Sequence, residues 1–226
     1  PEEKVTTISS GINAEQFRKQ GASWTMVARK YGVPGRYLLY AGAADPRKNL
    51  EAFMRAVACL PASEISDVSV VMVGQITDTQ KNSLEKIARL LPHGSKQLIF
   101  TGHVSDDELI AFYRNALAFV FPSLHEGFGL PLLEAMAAGC PVIASNSSAF
   151  PEVVGTTEAL FDPLSVESMA GLIRQVVADS DYRDRLVREQ SQRVALFSWD
   201  VVAQRVWSTL RDLKASSRDL GEELNK

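Results

Sequence analysis

The stretch His125-Glu126-Gly127-Phe128-Gly129-Leu130-Pro131-Leu132-Leu133-Glu134 concentrates residue types that handle a phosphorylated, hydroxyl-bearing ligand. Two glycines flank one aromatic residue. Pro131 follows where a helix would make its first turn, and there its missing N–H costs nothing. The unpaired N–H groups of such a helix start, with the dipole behind them, form an anion site. Glu126 precedes the turn and Glu134 lies in the second turn, so two carboxylates can accept hydrogen bonds from sugar or ribose hydroxyls. Carboxylates beside a phosphate are costly unless hydroxyl donors or cations offset them. Arg47 and Lys48 are available cations, at the end of Gly42-Ala43-Ala44-Asp45-Pro46-Arg47-Lys48-Asn49. Basic residues at a helix start work against the dipole. A bound anion would compensate that local cost; without one, the two are solvated surface charges.

The elements that must position these groups alternate along the chain. Strands are expected at Arg36–Ala41, Val68–Val73, Gln97–Thr101, Leu117–Phe121, Pro141–Ala144 and Ala159–Phe161, from short apolar runs rich in β-branched and aromatic residues. Amphipathic spacing predicts helices at Asn49–Leu60, Asp78–Leu91, 106–115, Leu130–Ala138, Val166–Ala178, Tyr182–Ala195 and Trp199–Ala215. Thr77 with Gln80 and Ser105 with Glu108 have capping-box spacing. The polar run 216–226 is expected to fray. Strands separated by helices imply parallel βαβ units, hence an α/β fold with a Rossmann-like parallel sheet and helices on both faces. Ligands bind beyond the carboxyl ends of such strands. The loops to read are therefore 42–48, 74–75, 102–105, 122–129 and 145–151.

Composition narrows the function classes. The 226 residues are 46% hydrophobic and 23% charged, which fits one large or two small globular domains and argues against disorder. Net charge is −3, which argues against a general nucleic-acid binder. Two cysteines, Cys59 and Cys140, make no disulfide framework and no zinc motif, so a reducing, cytoplasmic setting is expected. No apolar run reaches the ~18 residues of a membrane span, and no signal peptide is visible. The chain starts at Pro1 and reads as a piece of something longer.

Three groups of residues together resemble a known family. They are Gly-x-x-x-Pro-Arg-Lys-Asn from Gly42, the run from Pro122-Ser123-x-x-Glu126-Gly127-Phe128-Gly129 through Glu134-Ala135-Met136-Ala137-x-Gly139-x-Pro141-Val142, and Phe197-Ser198-Trp199. The chain resembles the nucleotide-sugar-binding half of glycosyltransferase family 4, the group 1 retaining enzymes. The opening Ile8-Ser9-Ser10-Gly11-Ile12-Asn13-x-x-x-Phe17 is similar to the entry of that half. The resemblance covers nearly the whole chain, and the run from Pro122 to Val142 is its most specific part.

The resemblance implies the C-terminal half of a GT-B architecture. Residues 1–198 would form the nucleotide-sugar-binding domain, and 199–226 a helix crossing back to a missing N-terminal domain, followed by a polar tail. It implies Glu126 near the transferred sugar and in the catalytic role. Glu134 would hold the ribose hydroxyls and Lys48 the phosphate. Gly127, Phe128, Gly129 and Leu130 would meet the diphosphate or sugar, and the loop His103-Val104-Ser105 would border the base. Many members carry Arg after the residue matching Gly42; here it is Ala43, and Arg47 is a substitute of second choice after Lys48. The implied reaction moves a hexose, with a lean toward mannose from GDP-mannose, to a hydroxyl acceptor without metal or cofactor. Peripheral membrane association would belong to the parent. The isolated piece would bind nucleotide-sugar but not catalyse. A non-catalytic nucleotide-binding or interaction module, or a GT-B nucleotide-sugar epimerase, is the alternative.

The remaining candidates read as structural. Asp179-Ser180-Asp181 has the literal pattern of metal-dependent transferases, but sits between two helices where Asp and Ser cap. His93 is expected at the surface, and His103 and His125 in supporting roles. Cys140 reads as a small buried residue, Glu152 as part of a helix start, and Trp199 as the anchor of the last helix. On that helix, Val201, Val202, Val206 and Leu210 would bury against the missing domain.

Overall fold

Residues Val68–Val73 are all buried, as a strand covered on both faces requires. The same holds for Tyr37–Tyr40, with no exposure at all. A computed structural model describes residues 5–43 and 45–223, with side chains of the last helix followed to Leu213. The order is α1 (Ala14–Arg18), α2 (Trp24–Tyr31), β1 (Arg36–Ala41), α3 (Leu50–Ala58), α4 (Ala62–Ile65), β2 (Val68–Val73), α5 (Asp78–Ala88), β3 (Leu98–Gly102), α6 (Asp106–Asn115), β4 (Ala118–Phe121) and α7 (Leu130–Ala137). Then come β5 (Val142–Ser145), α8 (Phe150–Val154), β6 (Leu160–Phe161), α9 (Val166–Ala178), α10 (Ser180–Val194) and α11 (Trp199–Glu223).

The six strands form one parallel sheet in the order β3-β2-β1-β4-β5-β6. Helices α3, α5 and α9 pack together in one layer, and α2, α6, α7 and α10 in another. β1 and β4 are neighbours in space although two whole βα units separate them in sequence, with Leu38 opposite Ala118 and Leu39 opposite Phe119. The chain reverses its winding direction there, which opens a crevice at the strands' carboxyl ends.

The last four strands each begin one residue later than the apolar runs suggest. Pro141 has no N–H to give a ladder. Gln97 is spent on a 3₁₀ turn, where its buried amide donates to the carbonyls of Ile65 and Val68 at 2.7 and 2.8 Å. Both expected capping boxes form, at Thr77 and Ser105. Asp179 caps α10 by accepting from Tyr182 N at 2.9 Å. Helix α2 carries Trp24, Val27, Ala28 and Tyr31 at helical spacing, a signal that a strand-first reading passes over. Its Trp24 stacks on Tyr37 with centroids 5.3 Å apart. The run expected to fray is helical through Glu223, and 224–226 lie outside the described residues.

The segment before α1 meets the start of α11. Ile12 bridges Ser198 in parallel, and Ile12 N donates to Phe197 O at 2.8 Å. Gly11 lies flat against Trp199, where a Cβ would come within 2.6 Å of the ring. Of the apolar stripe on α11, Val202 is buried on this domain, whereas Val206, Trp207 and Leu210 are exposed.

Gln190 clamps α10 to the sheet. Its amide accepts from Val142 N at 2.9 Å and donates to Val142 O at 2.8 Å, fully buried. Gln190→Leu strands both backbone groups and is expected to cost about 2–3 kcal/mol in urea unfolding; Gln190→Glu, which sets a buried carboxylate oxygen against Val142 O, should cost at least as much at pH 7.

Candidate functional site

The loop after β1 is a capped 3₁₀ turn, Pro46–Lys48. Asp45 accepts from Arg47 N at 2.7 Å and also pairs with the Arg47 guanidinium at 2.7 Å. Asn49 takes a left-handed conformation (φ 56°), which Asn tolerates, and its amide donates to Pro163 O at 2.8 Å. Arg47 O accepts from Leu124 N at 2.7 Å, which joins this turn to the loop after β4. The effect is to aim Lys48 across the crevice. Its ammonium pairs with the Glu126 carboxylate and lies 5.7 Å from the centre of the Phe121 ring. Both side chains of the pair are more than four-fifths buried.

Helix α7 starts at Gly129, whose φ of 94° is left-handed and favours glycine. No side chain caps this helix start. Lys48, Phe121, Glu126, Phe128, Gly129, Leu130 and Pro131 line one cavity of about 260 Å³. Six of the residues singled out in the sequence therefore converge: Lys48, Glu126, Phe128, Gly129, Leu130 and Pro131. Phe128 also meets Phe197 edge-on at 5.8 Å and so anchors the glycine loop to the end of the domain. Gly127 lies in the same loop but does not line the cavity.

Others stand apart. Arg47 is held by Asp45 and largely exposed. Asp45 in turn is pulled below the usual carboxylate range by that partner. Ala43 gives only its carbonyl, to the Tyr40 hydroxyl at 3.0 Å. Glu134 lies one turn beyond the cavity and receives a hydrogen bond from Tyr113 Oη at 3.1 Å. His103 is exposed and Val104 is in the core, just before α6. Asp106, at the start of α6, acts on Glu134 as a like charge. Cys140 is fully buried, and burial pushes its thiol pKa up, away from nucleophilic use. Glu152 sits in the first turn of α8, exposed. His93 is exposed.

Sequence reasoning missed the serines that fasten the Glu126 loop. Ser145 Oγ donates to Phe121 O at 3.4 Å and Ser147 Oγ to Ser123 O at 3.3 Å. Ser148 Oγ accepts from Glu126 N at 3.2 Å and pairs with His125 Nδ1 at 3.1 Å. Ser148 does this at φ 54°, an unusual conformation for serine. Ser123 Oγ donates to Glu126 Oε1 at 3.3 Å. The available signal was a hydroxyl-rich run, Ser145-Asn146-Ser147-Ser148, directly after a strand.

A parallel sheet wound in this order, with a cation–carboxylate pair and an uncapped helix start over its switch point, defines a Rossmann-like ligand-binding domain. Comparison with known proteins places it more narrowly: residues 29–193 match the family described as glycosyl transferases group 1, and the chain belongs to that family. It is 35% identical over 220 residues to the serotype-specific mannosyltransferase WbdA of Escherichia coli, covering 96% of this chain and 27% of that protein. It is 30% identical to the O-antigen chain mannosyltransferase B of Escherichia coli, covering 88% of this chain and 52% of that one. Among solved structures, it is similar to the C-terminal domain of a glycosyl transferase group 1 family protein (LpcC) from Francisella tularensis, with a TM-score of 0.69, 26% identity, and 82% and 97% of the two chains covered. The chain thus spans between about a quarter and about half of the curated relatives it matches. Among the described residues, no helix is long and apolar enough to cross a membrane.

Burial lifts the Glu134 pKa above the ordinary carboxylate value of 4.5, and the Tyr113 hydrogen bond only partly offsets that. The folded protein therefore holds this proton more tightly than the unfolded chain. The resulting stability is fully present below the unfolded pKa and is lost as pH rises through the folded value. Glu134→Gln, which removes the charge but keeps the shape, is expected to raise Tm at pH 7. That gain should shrink as pH falls toward 4. A Tm gain equal at both pH values would contradict the assignment.

Proposed function

We propose that this chain is the donor-binding half of a retaining hexosyltransferase. The observation that carries the reading is the Lys48–Glu126 pair set over the switch point, beside the uncapped start of α7. Lys48 and the α7 N–H groups meet the diphosphate, and Glu126 the hydroxyls of the transferred sugar. Glu134 holds the ribose, and the loop His103-Val104-Ser105 borders the base. Gly127, Phe128, Gly129 and Leu130 shape the contact between them, and Arg47 contributes charge from the rim. The acceptor hydroxyl attacks the anomeric carbon, the bond from that carbon to the diphosphate oxygen breaks, and the nucleoside diphosphate leaves. Lys48 and the helix dipole absorb its charge, so no metal or other cofactor is required. The acceptor hydroxyl loses its proton to a group outside this chain or to the departing diphosphate.

The mannosyltransferase relatives support a mannosyl donor, GDP-mannose in the first place. The C-terminal-domain relative supports a partner domain preceding this one in the parent protein. The exposed face of α11, with Val206, Trp207 and Leu210, would then cover that partner. Two free cysteines suit a cytoplasmic setting, where peripheral contact with a membrane would come from the rest of the parent.

The pairing sharpens the mutational test. Glu126→Ala frees Lys48, so free diphosphate binding should hold or tighten, while the increment contributed by the sugar is lost. Lys48→Ala should weaken diphosphate about tenfold more than monophosphate, in line with one charge-assisted contact of about 1.5 kcal/mol. Titration calorimetry of GDP, UDP and ADP, each with and without its sugar, reads both. No saturable binding of any would overturn the donor-half reading, and equal losses for sugar-bearing and sugar-free ligands would remove Glu126 from the sugar.

A further inference from the structure

Tyr113 is one of the most deeply buried polar side chains in the molecule, with no exposed surface. It sits near the end of α6 and its ring packs edge-on against Phe119 of β4, with centroids 5.3 Å apart. The packing fixes where its hydroxyl points: at Glu134 Oε2, 3.1 Å away and on a different helix. Among the described residues Glu134 makes no salt bridge, and Tyr113 is its hydrogen-bond partner. Burying a carboxylate against a neutral phenol, with the like charge of Asp106 nearby, is a poor arrangement for stability. A cation in place of Tyr113 would serve folding better. It would also neutralise the group and compete for both oxygens.

The phenol does something a cation would not. It has one proton to give, to one oxygen. The geometry points to Tyr113 as the positioning residue of the ribose site. It locks the Glu134 carboxylate in one rotamer with Oε2 occupied, so that Oε1 is presented, still charged, to the two vicinal hydroxyls of the nucleoside. This inference rests on Glu134 being the ribose acceptor, as proposed above. An ionised carboxylate is an acceptor only, and one free oxygen can take bonds from two donors. A fixed rotamer removes the entropy that a free glutamate side chain would lose on binding. The role of Tyr113 is therefore to make the site discriminate ribose from sugars lacking those hydroxyls.

The test compares GDP, UDP and ADP with their 2′,3′-dideoxy forms by calorimetry, in the wild-type chain, Tyr113→Phe, Glu134→Ala and the double variant. Tyr113→Phe keeps the ring and the Phe119 contact. It is expected to reduce the ribose preference roughly fivefold, the worth of one hydrogen bond, and to leave dideoxy binding unchanged. In the Glu134→Ala background it should reduce the preference no further. Phe119→Leu, which loosens the packing but leaves the hydroxyl, should lower Tm with less effect on the preference. If Glu134→Ala abolishes the preference and Tyr113→Phe preserves it, Tyr113 is only a core residue and the inference fails. If Glu134→Ala itself preserves the preference, the ribose assignment of Glu134 fails and takes this inference with it. Additive losses in the double variant would also overturn it, because Tyr113 would then be acting on something other than Glu134.

Discussion

The arrangement depends on one adjacency, that of β1 and β4 at the centre of the sheet. A right-handed parallel sheet wound outward in one direction and then the other must leave its two inner loops facing each other across a gap. Lys48 ends one loop and Glu126 lies within the other, 78 residues apart in sequence and in contact in space. The pair is costly to bury and is repaid only where hydrogen bonds complete it. Ser123 supplies one, on the carboxylate oxygen that the lysine also meets. Removing the order of the strands would leave two unmatched charges on separate surface loops.

Around that pair the molecule uses neutral hydroxyls rather than further ions. Ser145, Ser147 and Ser148 hold the Glu126 loop by its backbone, and Tyr113 holds Glu134 by its carboxylate. Hydroxyls orient without neutralising, so the two carboxylates keep their capacity to accept. The exposed guanidinium of Arg47 is occupied within its own turn by Asp45. Charge is thus concentrated on Lys48, beside the start of α7 that no side chain caps, where an anion would meet it.

Much of this was legible in the residues alone, and the boundary of legibility is physical. Strands β1 and β2 are marked by apolar runs flanked by polar residues, and their limits coincide with those runs. Helix starts at Asp78 and Asp106 follow local capping chemistry that spans three residues. The glycine loop, Pro131 and the two glutamates advertise an anion and hydroxyl site because each residue type has a local reason to be there. What stays hidden is contact between distant side chains. Nothing near Tyr113 in the sequence indicates that its hydroxyl reaches Glu134, 21 residues on. Nor does the serine run after β5 reveal that it reaches back 22 residues to Glu126. The resemblance ranks Lys48 ahead of Arg47, but nothing in the residues themselves reveals that Asp45 holds the Arg47 guanidinium within its own turn.

The bridge between Ile12 and Ser198 has a consequence for how the protein is made. A ribosome releases residue 12 long before residue 198, and parallel pairing offers no neighbouring strand to wait with. The segment that lays Gly11 against Trp199 therefore stays open until Trp199 has been made. The sheet can assemble outward from β1 and β2 in the meantime, but β4 must arrive before the centre closes. Truncation just before Phe197 would remove both the partner of Ile12 and the ring that steadies Phe128.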